Sequence, residues 1–421
     1  MNTKSINQRY DEAKSMYAEY GVDTDKAIQN MQSVEISLQC WQGDDVVGFE
    51  VDEKGLSGGI MTTGNYPGKA KNADELRNDY EKAFSLIPGK QRANIHAIYL
   101  ETDGKFVDRD QIELKYFKNW IDWAKQKKIA LDFNTSMFSH AKAASGYTIS
   151  DYDPAIRDFW IEHAKRCRDI AAKMGEAQGK SCLLNHWMPD GSKDAPVDRF
   201  ARRKLFIQSM DRILDKEYSK DFVLDALESK LFGIGVESFT VGSAETVLGY
   251  AISRNILVTY DLGHFHPTES IADKISSTLL YADRLLLHTS RGVRWDSDHV
   301  VIQTDDLFAL MQEVVRADAL SRVNIALDFF DASINRLAAW IIGTRATQKA
   351  ILFALLEPHE LLLGKEEEGD TTARLALLDE FKNLPWSDVW NYYCEISGAP
   401  LGDKWLDEVK KYEKDVLFKR K

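Results

Sequence analysis

Cysteine, positive charge and long apolar runs are all scarce in this sequence, and each shortage removes a class of protein. The four cysteines, Cys40, Cys167, Cys182 and Cys394, show no C-x-x-C spacing and no compact framework. That excludes a disulfide scaffold and predicts reduced thiols in a cytoplasmic chain. Lysine and arginine number 54 against 66 aspartates and glutamates, a formal charge of −12. Such a surface disfavours nucleic acid and anionic membranes, and the substrate is not expected to be a polyanion. The N-terminus, MNTKSINQRYDEAKSMYAEYGV, is polar and amphipathic, without the apolar centre of a signal peptide. The most apolar later stretch, LAAWIIGT from Leu337, is too short to span a bilayer and is flanked by Arg336 and Arg345. A soluble protein is expected, with no repeat beyond an alternation of strand-like and helix-like segments.

That alternation organises the chain. Asn7 to Tyr20 reads as a first helix, and SVEISLQCW from Ser33 alternates apolar Val34, Ile36, Leu38 and Cys40 with polar neighbours, as a strand does. The glycine-rich stretch from Gly43 to Asn72 is long for a connection inside a compact domain. It is either a mobile lid over an active site or an ordered surface excursion. Gly55, Ser57 and Gly59 within it match the nucleophile pattern G-x-S-x-G, but Asp52, Glu53 and Lys54 precede it and Met61, Thr62, Thr63 and Gly64 follow. The strand–turn–helix context is missing, so Ser57 is not expected to be catalytic.

A helix from Ala73 to Ile87 leads to the strand ANIHAIYLE, and one from Gln111 to Lys127 leads to KIALDFNTS. A long helix from Pro154 to Met174 leads to KSCLLNHWMPDG, and a helix from Arg199 to Leu214 follows. Four further strand-like segments, FVLDALESK, ILVTYDLGH, RLLLHTSRGVRWDSD and VNIALDFFD, begin at Phe222, Ile256, Arg284 and Val323, with helices near Ala244–Ser253, Ser270–Tyr281 and Asp305–Ala317 between them. Strict alternation predicts parallel strands with right-handed crossovers, and eight units close a barrel. The expected fold is therefore α/β, a (β/α)8 TIM-type barrel forming one domain over residues 1–421. It would carry a helical addition in residues 1–30 and a helical extension over about 358–421, packed on the barrel or on a neighbouring subunit. A very apolar helix, Arg336 to Leu356, follows the last strand, and GKEEEGD beyond it reads as a solvated loop.

The last four strand-like segments each open apolar and close on a carboxylate or histidine: Glu228 and Lys230, Asp261 and His264, His288 with Asp296 and Asp298, and Asp328. In a barrel those ends face the active site. Side chains alternate along a strand, so Glu228 and Lys230 share a face, as would Asp296 and Asp298 if that stretch is extended. Five carboxylates brought together would repel one another unless cations lay between them. Two divalent cations and Lys230 balance Glu228, Asp261, Asp296, Asp298 and Asp328. Oxygen-dominated ligation with an imidazole at each site suits Mn²⁺ first, with Mg²⁺, Zn²⁺ or Co²⁺ as alternatives. Lys230, His96 and Asp328 make up the expected catalytic group. Lys230 either donates to a substrate oxygen or is a counter-ion. His96 either assists ring opening and hydroxyl binding or is structural. Trp41 and Trp187 either wall the apolar face of a sugar or pack in the core. His186, His266 and Asp331 lie near these motifs without a clear role.

The E-x-K, the D-x-x-H of Asp261 and His264 and the D-x-D of Asp296 and Asp298 resemble the metal-site pattern of the xylose isomerase superfamily. SLQCWQGDDV, NHWMPDGSKD, FGIGVESFTVGS, DLGHFHPTE and ALDFFDASINR resemble the L-rhamnose isomerase family, over nearly the whole chain. The resemblance implies a structural metal on Glu228, Asp261, His288 and Asp328. It also implies a catalytic metal on His264, Asp296 and Asp298, with Asp261 bridging. A homotetrameric barrel and conversion of L-rhamnose to L-rhamnulose are implied with it. His288 departs from xylose isomerase, which has a carboxylate there. Because the carboxylates are committed to metals, a metal-promoted 1,2-hydride shift is expected in place of proton transfer through a base. The rival readings are another aldose isomerase of the superfamily, a metal-dependent endonuclease or phosphoesterase, and a non-catalytic sugar-binding module.

Overall fold

Eight short runs of mostly buried residues become strands: β1 (Glu35–Gln39), β2 (Lys90–His96), β3 (Ala130–Asn134), β4 (Cys182–His186), β5 (Val223–Glu228), β6 (Leu257–Asp261), β7 (Leu285–Thr289) and β8 (Val323–Leu327). All are parallel, and β8 pairs with β1 through Ile36↔Ile325 and Ser37↔Ala326 to close the expected barrel. The computed structural model describes residues 4–51, 62–231, 238–293 and 298–420.

Local chemistry sets the helices between the strands. Asp153 caps the helix Pro154–Gln178, with proline in the first turn where its missing N–H costs nothing, and Gly179 ends it at φ 68°. Thr304 caps Asp305–Arg316, whose first turn carries Asp305 and Asp306 against the helix dipole. Asn335 accepts from the Ala338 N–H at 3.0 Å and starts the helix Arg336–Leu355. That helix is buried nearly all round because it lies between the barrel and the terminal helices. Its Trp340 stacks on Tyr80 at 4.6 Å and donates to the Gln39 carbonyl at 2.9 Å.

The barrel interior has two unlike halves. Leu183, Leu224, Ala226, Leu257, Leu286 and Ala326, from β4 to β8, form an apolar plug. On β1 to β3 the interior is polar. Arg92 forks onto Asp132 at 2.8 and 2.7 Å and reaches Glu35 at 3.0 Å, while Ser37 donates to Asp132 at 2.7 Å. Each charge there is paired, which is what makes its burial tolerable.

Several expectations are corrected. A second helix, Thr24–Ser33, capped by Asp23, follows the first, which ends at Ala18. The helix expected from Gln111 begins at Lys118. Ile112 and Glu113 are extended, which lets both Ile112 and Phe117 bury. β2 starts earlier, at Lys90 after the Pro88-Gly89 turn, and ends at His96 because Ala97–Tyr99 coils into a 3-10 turn. The acidic GKEEEGD is exposed, yet it is not simply a loop: the helix His359–Glu367 runs into it, since lysine and glutamate are good helix formers.

The stretch from Gly43 to Asn72 is pinned along both described limbs. Phe49 N–H donates to the Ile98 carbonyl at 2.8 Å, and Arg336 forks onto Asp45 at 2.6 and 2.8 Å. Tyr66 N–H donates to the Ala332 carbonyl at 2.7 Å. Gly64, at φ 117°, approaches the Ala332 backbone so closely that a Cβ would lie 2.3 Å from it. Residues 52–61, with Gly55, Ser57 and Gly59, lie outside the described residues. The terminal helices pack on their own chain: Tyr392 stacks on Tyr10 at 3.9 Å, and Glu413 accepts from Tyr66 at 2.7 Å and Asn335 at 2.8 Å. Among the described residues no helix is long and apolar enough to cross a membrane.

Candidate metal centre

The C-terminal ends of β5 to β8 bring Glu228, Asp261, His288 and Asp328 together, with one donor atom from each within 4.8 Å of all the others and all four side chains buried. His288 Nδ1 lies 3.3 Å from Glu228, 3.6 Å from Asp261 and 2.8 Å from Asp328. A second set, Asp261, His264 and Asp298, meets the same criterion, so Asp261 belongs to both. Asp296 lies outside the described residues, which end at Val293 and resume at Asp298.

Neighbours aim these groups. Asp261 Oδ1 accepts from the Gly263 N–H at 2.6 Å and from Ser290 Oγ at 2.9 Å, which turns Oδ2 inward. Asn185 donates to Glu228 Oε2 at 2.6 Å and is itself fixed by Thr259 Oγ1 at 2.8 Å. His264 Nδ1 donates to the Ser229 carbonyl at 2.9 Å, so its lone pair is on Nε2, 3.3 Å from Lys230 Nζ. Gly263 leaves the room: a Cβ there would meet Asp298 Oδ1 at 2.9 Å and Asp261 Oδ1 at 3.1 Å.

The donor sets fit divalent cations. Asp261 Oδ2, Asp328 Oδ1 and His288 Nε2 are buried and accept or donate no hydrogen bond within the protein, a costly state unless a cation or ligand completes it. Burial opposes ionisation of Glu228, yet His288 and His264 hold its carboxyl well below the ordinary range. Burial alone would lower the His288 imidazole, but Glu228 and Asp328 overcome it and push it well above its usual value. Negative charge here is dense enough to demand a positive partner.

Beside the clusters stands an aromatic wall. Trp41 stacks on His96 at 4.2 Å, and Phe330 meets Trp41 edge-on at 5.6 Å. Phe138 lies 6.2 Å from His96 and 5.8 Å from Trp187. Lys230 Nζ, 5.2 Å above the Trp187 ring, joins the wall to the metal-ligand side. Burial pushes the His96 imidazole down to about 3, so it is neutral, and neither ring nitrogen has a hydrogen-bond partner. Trp41 Nε1 and Trp187 Nε1 are likewise buried without one.

All the expected site residues within the described chain therefore meet at one end of the barrel. His186 turns away, its Nε2 2.9 Å from Asp225, which also carries Arg168. Asp331 holds Ser333 and, through its backbone, Gln42, and His266 bonds Thr268 at 2.7 Å. The four cysteines are buried and unpaired.

Similarity to known proteins agrees with this geometry. The family described as L-rhamnose isomerase (RhaA) matches residues 4–420. The chain belongs to the L-rhamnose isomerase family. A relative named L-rhamnose isomerase, from Rhodopirellula baltica, is 56% identical over 416 residues, covering 99% of this chain and 97% of that one. Another of that name, from Salmonella paratyphi B, is 53% identical over 418 residues, covering 99% of this chain and all of its own. Among solved structures, a D-allulose 3-epimerase from Methylomonas sp. aligns with a TM-score of 0.47 at 13% identity, over 76% of this chain and 96% of that one. Membership of the L-rhamnose isomerase family bears out the resemblance carried by SLQCWQGDDV and the other stretches. Gly263, Asn185, Ser290, Phe138 and Phe330 were not among the expected site residues.

Proposed function

We propose that this chain interconverts L-rhamnose and L-rhamnulose as a metal-dependent aldose–ketose isomerase. The observation that carries the reading is two donor sets sharing Asp261, one fully buried and the other half-buried at Asp298, next to an aromatic wall, in a chain of this family. Glu228, Asp261, His288 and Asp328 would hold a structural cation, and Asp261, His264 and Asp298, with Asp296, a catalytic one. Mn²⁺ suits these oxygen-rich sets with one imidazole each. Cations held by these residues would supply Lewis acidity toward the sugar's oxygens.

The chain's own side chains do the rest. Trp41 and Trp187 cover the apolar face of the sugar and exclude water. Neutral His96 can accept a hydrogen bond at one ring nitrogen from the anomeric hydroxyl as the pyranose opens, the hydroxyl proton ending on the ring oxygen released from C1. Lys230 donates to the oxygen that gains negative charge. With the clustered carboxylates holding cations, the O2 hydroxyl gives up its proton and the C2 hydrogen passes with its electron pair to C1 inside the substrate. O2 becomes the ketose carbonyl, while O1 takes up a proton in exchange and ends as a hydroxyl. Four buried free cysteines support a reducing, cytoplasmic setting. Exposed Val197, Phe200, Leu280 and Tyr281 support subunit contacts in a homotetramer.

Chelator-stripped protein is assayed on aldohexoses and 6-deoxyaldohexoses with and without Mn²⁺. L-rhamnose should be the best substrate, and only with metal; turnover of phosphodiesters, or none of L-rhamnose, removes the reading. In D₂O the ketose should gain essentially no carbon-bound deuterium, and substantial deuterium at C1 would replace the hydride route by a proton relay.

A further inference from the structure

Arg109 stands in the loop after β2, 2% exposed, and its guanidinium is fully occupied by protein. Nε and Nη2 fork onto Glu50 at 2.9 Å each, Nη1 donates to the carbonyls of Ser136 and Phe138, and Nη2 also reaches the Ser139 carbonyl at 3.1 Å. An arginine has five N–H donors, and all are used here. Its own carbonyl accepts from His163 Nδ1 at 3.0 Å, and His163 Nε2 accepts the Ser136 N–H at 3.1 Å. The segment after β3 is thus held from two sides. Glu50 belongs to the connection after β1, which also carries Trp41, and Phe138 faces Trp41 at 6.4 Å and Trp187 at 5.8 Å.

From this geometry we infer that Arg109 is a positioning residue for sugar specificity: by tying the loops after β1, β2 and β3 together it fixes Phe138 in the aromatic wall, and through it the preference for a methyl over a hydroxymethyl terminus. The inference rests on the proposed substrate class. A methyl group loses nothing against Phe138, Trp41 and Trp187. A hydroxymethyl there buries a hydroxyl, and an apolar wall that lets water in no longer penalises it. Lysine cannot replace the fork, because its ammonium reaches fewer acceptors and in no fixed plane.

The test compares wild type with Arg109→Lys, Glu50→Gln and Phe138→Leu on L-rhamnose and its 6-hydroxy counterpart L-mannose, with bound Mn²⁺ and hydrogen exchange at residues 135–140 measured alongside. For Arg109→Lys, KM for L-rhamnose should rise about tenfold with kcat within about threefold, and the L-rhamnose to L-mannose ratio of kcat/KM should fall about fivefold or more. Metal content should match wild type, exchange at 135–140 should quicken, and Phe138→Leu should lower the same ratio. Unchanged exchange at 135–140 overturns the inference, as does a parallel loss of kcat, KM, metal and melting temperature. If Arg109→Lys does not fold, Glu50→Gln is read by the same two outcomes. A wild type inactive on L-rhamnose would sink the proposed function instead, and the exchange comparison would still decide whether Arg109 holds the wall.

Discussion

Gly263 has less freedom to change than any carboxylate around it. Its constraint is steric: an added methyl would meet Asp298 and Asp261 at 2.9 and 3.1 Å, forcing apart two groups of the second donor set. Gly263→Ala should weaken the second metal by about 10–100-fold, read by Mn²⁺ titration of turnover, with the first site much less affected. His163 gives a pH prediction. Burial, helped by Arg109, pushes its imidazole down to about 3 from 6.5. The unfolded chain takes up a proton as pH falls through that window and the folded one does not. Stability is therefore whole above about pH 6.5 and is lost towards pH 3, by about 2 kcal/mol between pH 7 and 5. His163→Gln should flatten that part of the acid limb of urea-unfolding midpoints. At this scale the clustering of Glu228, Asp261, His288 and Asp328 was legible because a carboxylate or histidine closing an apolar run is unusual four times over. Gly263, Asn185 and Phe138 were not, because each has meaning only through the neighbour it meets across the fold.

Between elements, the described glycine with least room is Gly175, where the helix Pro154–Gln178 passes the residue before β5. A Cβ on Gly175 would lie 1.8 Å from the Phe222 carbonyl, a backbone atom that cannot swing aside. Gly175→Ala should cost about 1–3 kcal/mol and lower the melting temperature by a few degrees, without changing KM in the protein that remains folded. Strand existence and order were readable from apolar runs punctuated by helical periodicity, and all eight strands appear. Boundaries were less so. RLLLHTSRGVRWDSD reads as one strand-like segment whose extension as far as Asp298 stays open, and β7 stops at Thr289. The ladder ends where β8 leaves the barrel, a fact about a partner strand that the segment itself does not encode.

For the whole molecule, the two donor sets should differ in what they support. Glu228, Asp261 and His288 lie on three neighbouring strands and Asp328 directly follows the fourth, so a cation there would tie all four, whereas His264 and Asp298 lie farther beyond their strand ends. Removing metal with chelator should lower the melting temperature and Mn²⁺ should restore it. Asp296→Asn with Asp298→Asn should abolish turnover and leave the melting temperature within about a degree, while Glu228→Gln lowers both. Equal melting of the two variants would contradict this division. Fold class was legible at this scale because alternation is a property of the whole chain. The two unlike halves of the barrel interior were not, since Arg92, Asp132 and Ser37 become partners only once the strands curl.

Barrel closure also sets a schedule. β1 carries residues 35–39, and the strand that covers its second edge, β8, ends at Leu327. At ribosomal speeds of about 5–20 residues per second, the roughly 290 residues between them take about 15–60 seconds to synthesise. Throughout that interval the nascent chain offers the outer edge of β1, with that of the newest strand, to any other chain nearby. The same delay falls on Tyr10, which stacks on Tyr392 only when the last helices arrive. Both that strand edge and Tyr10 wait for partners made hundreds of residues later.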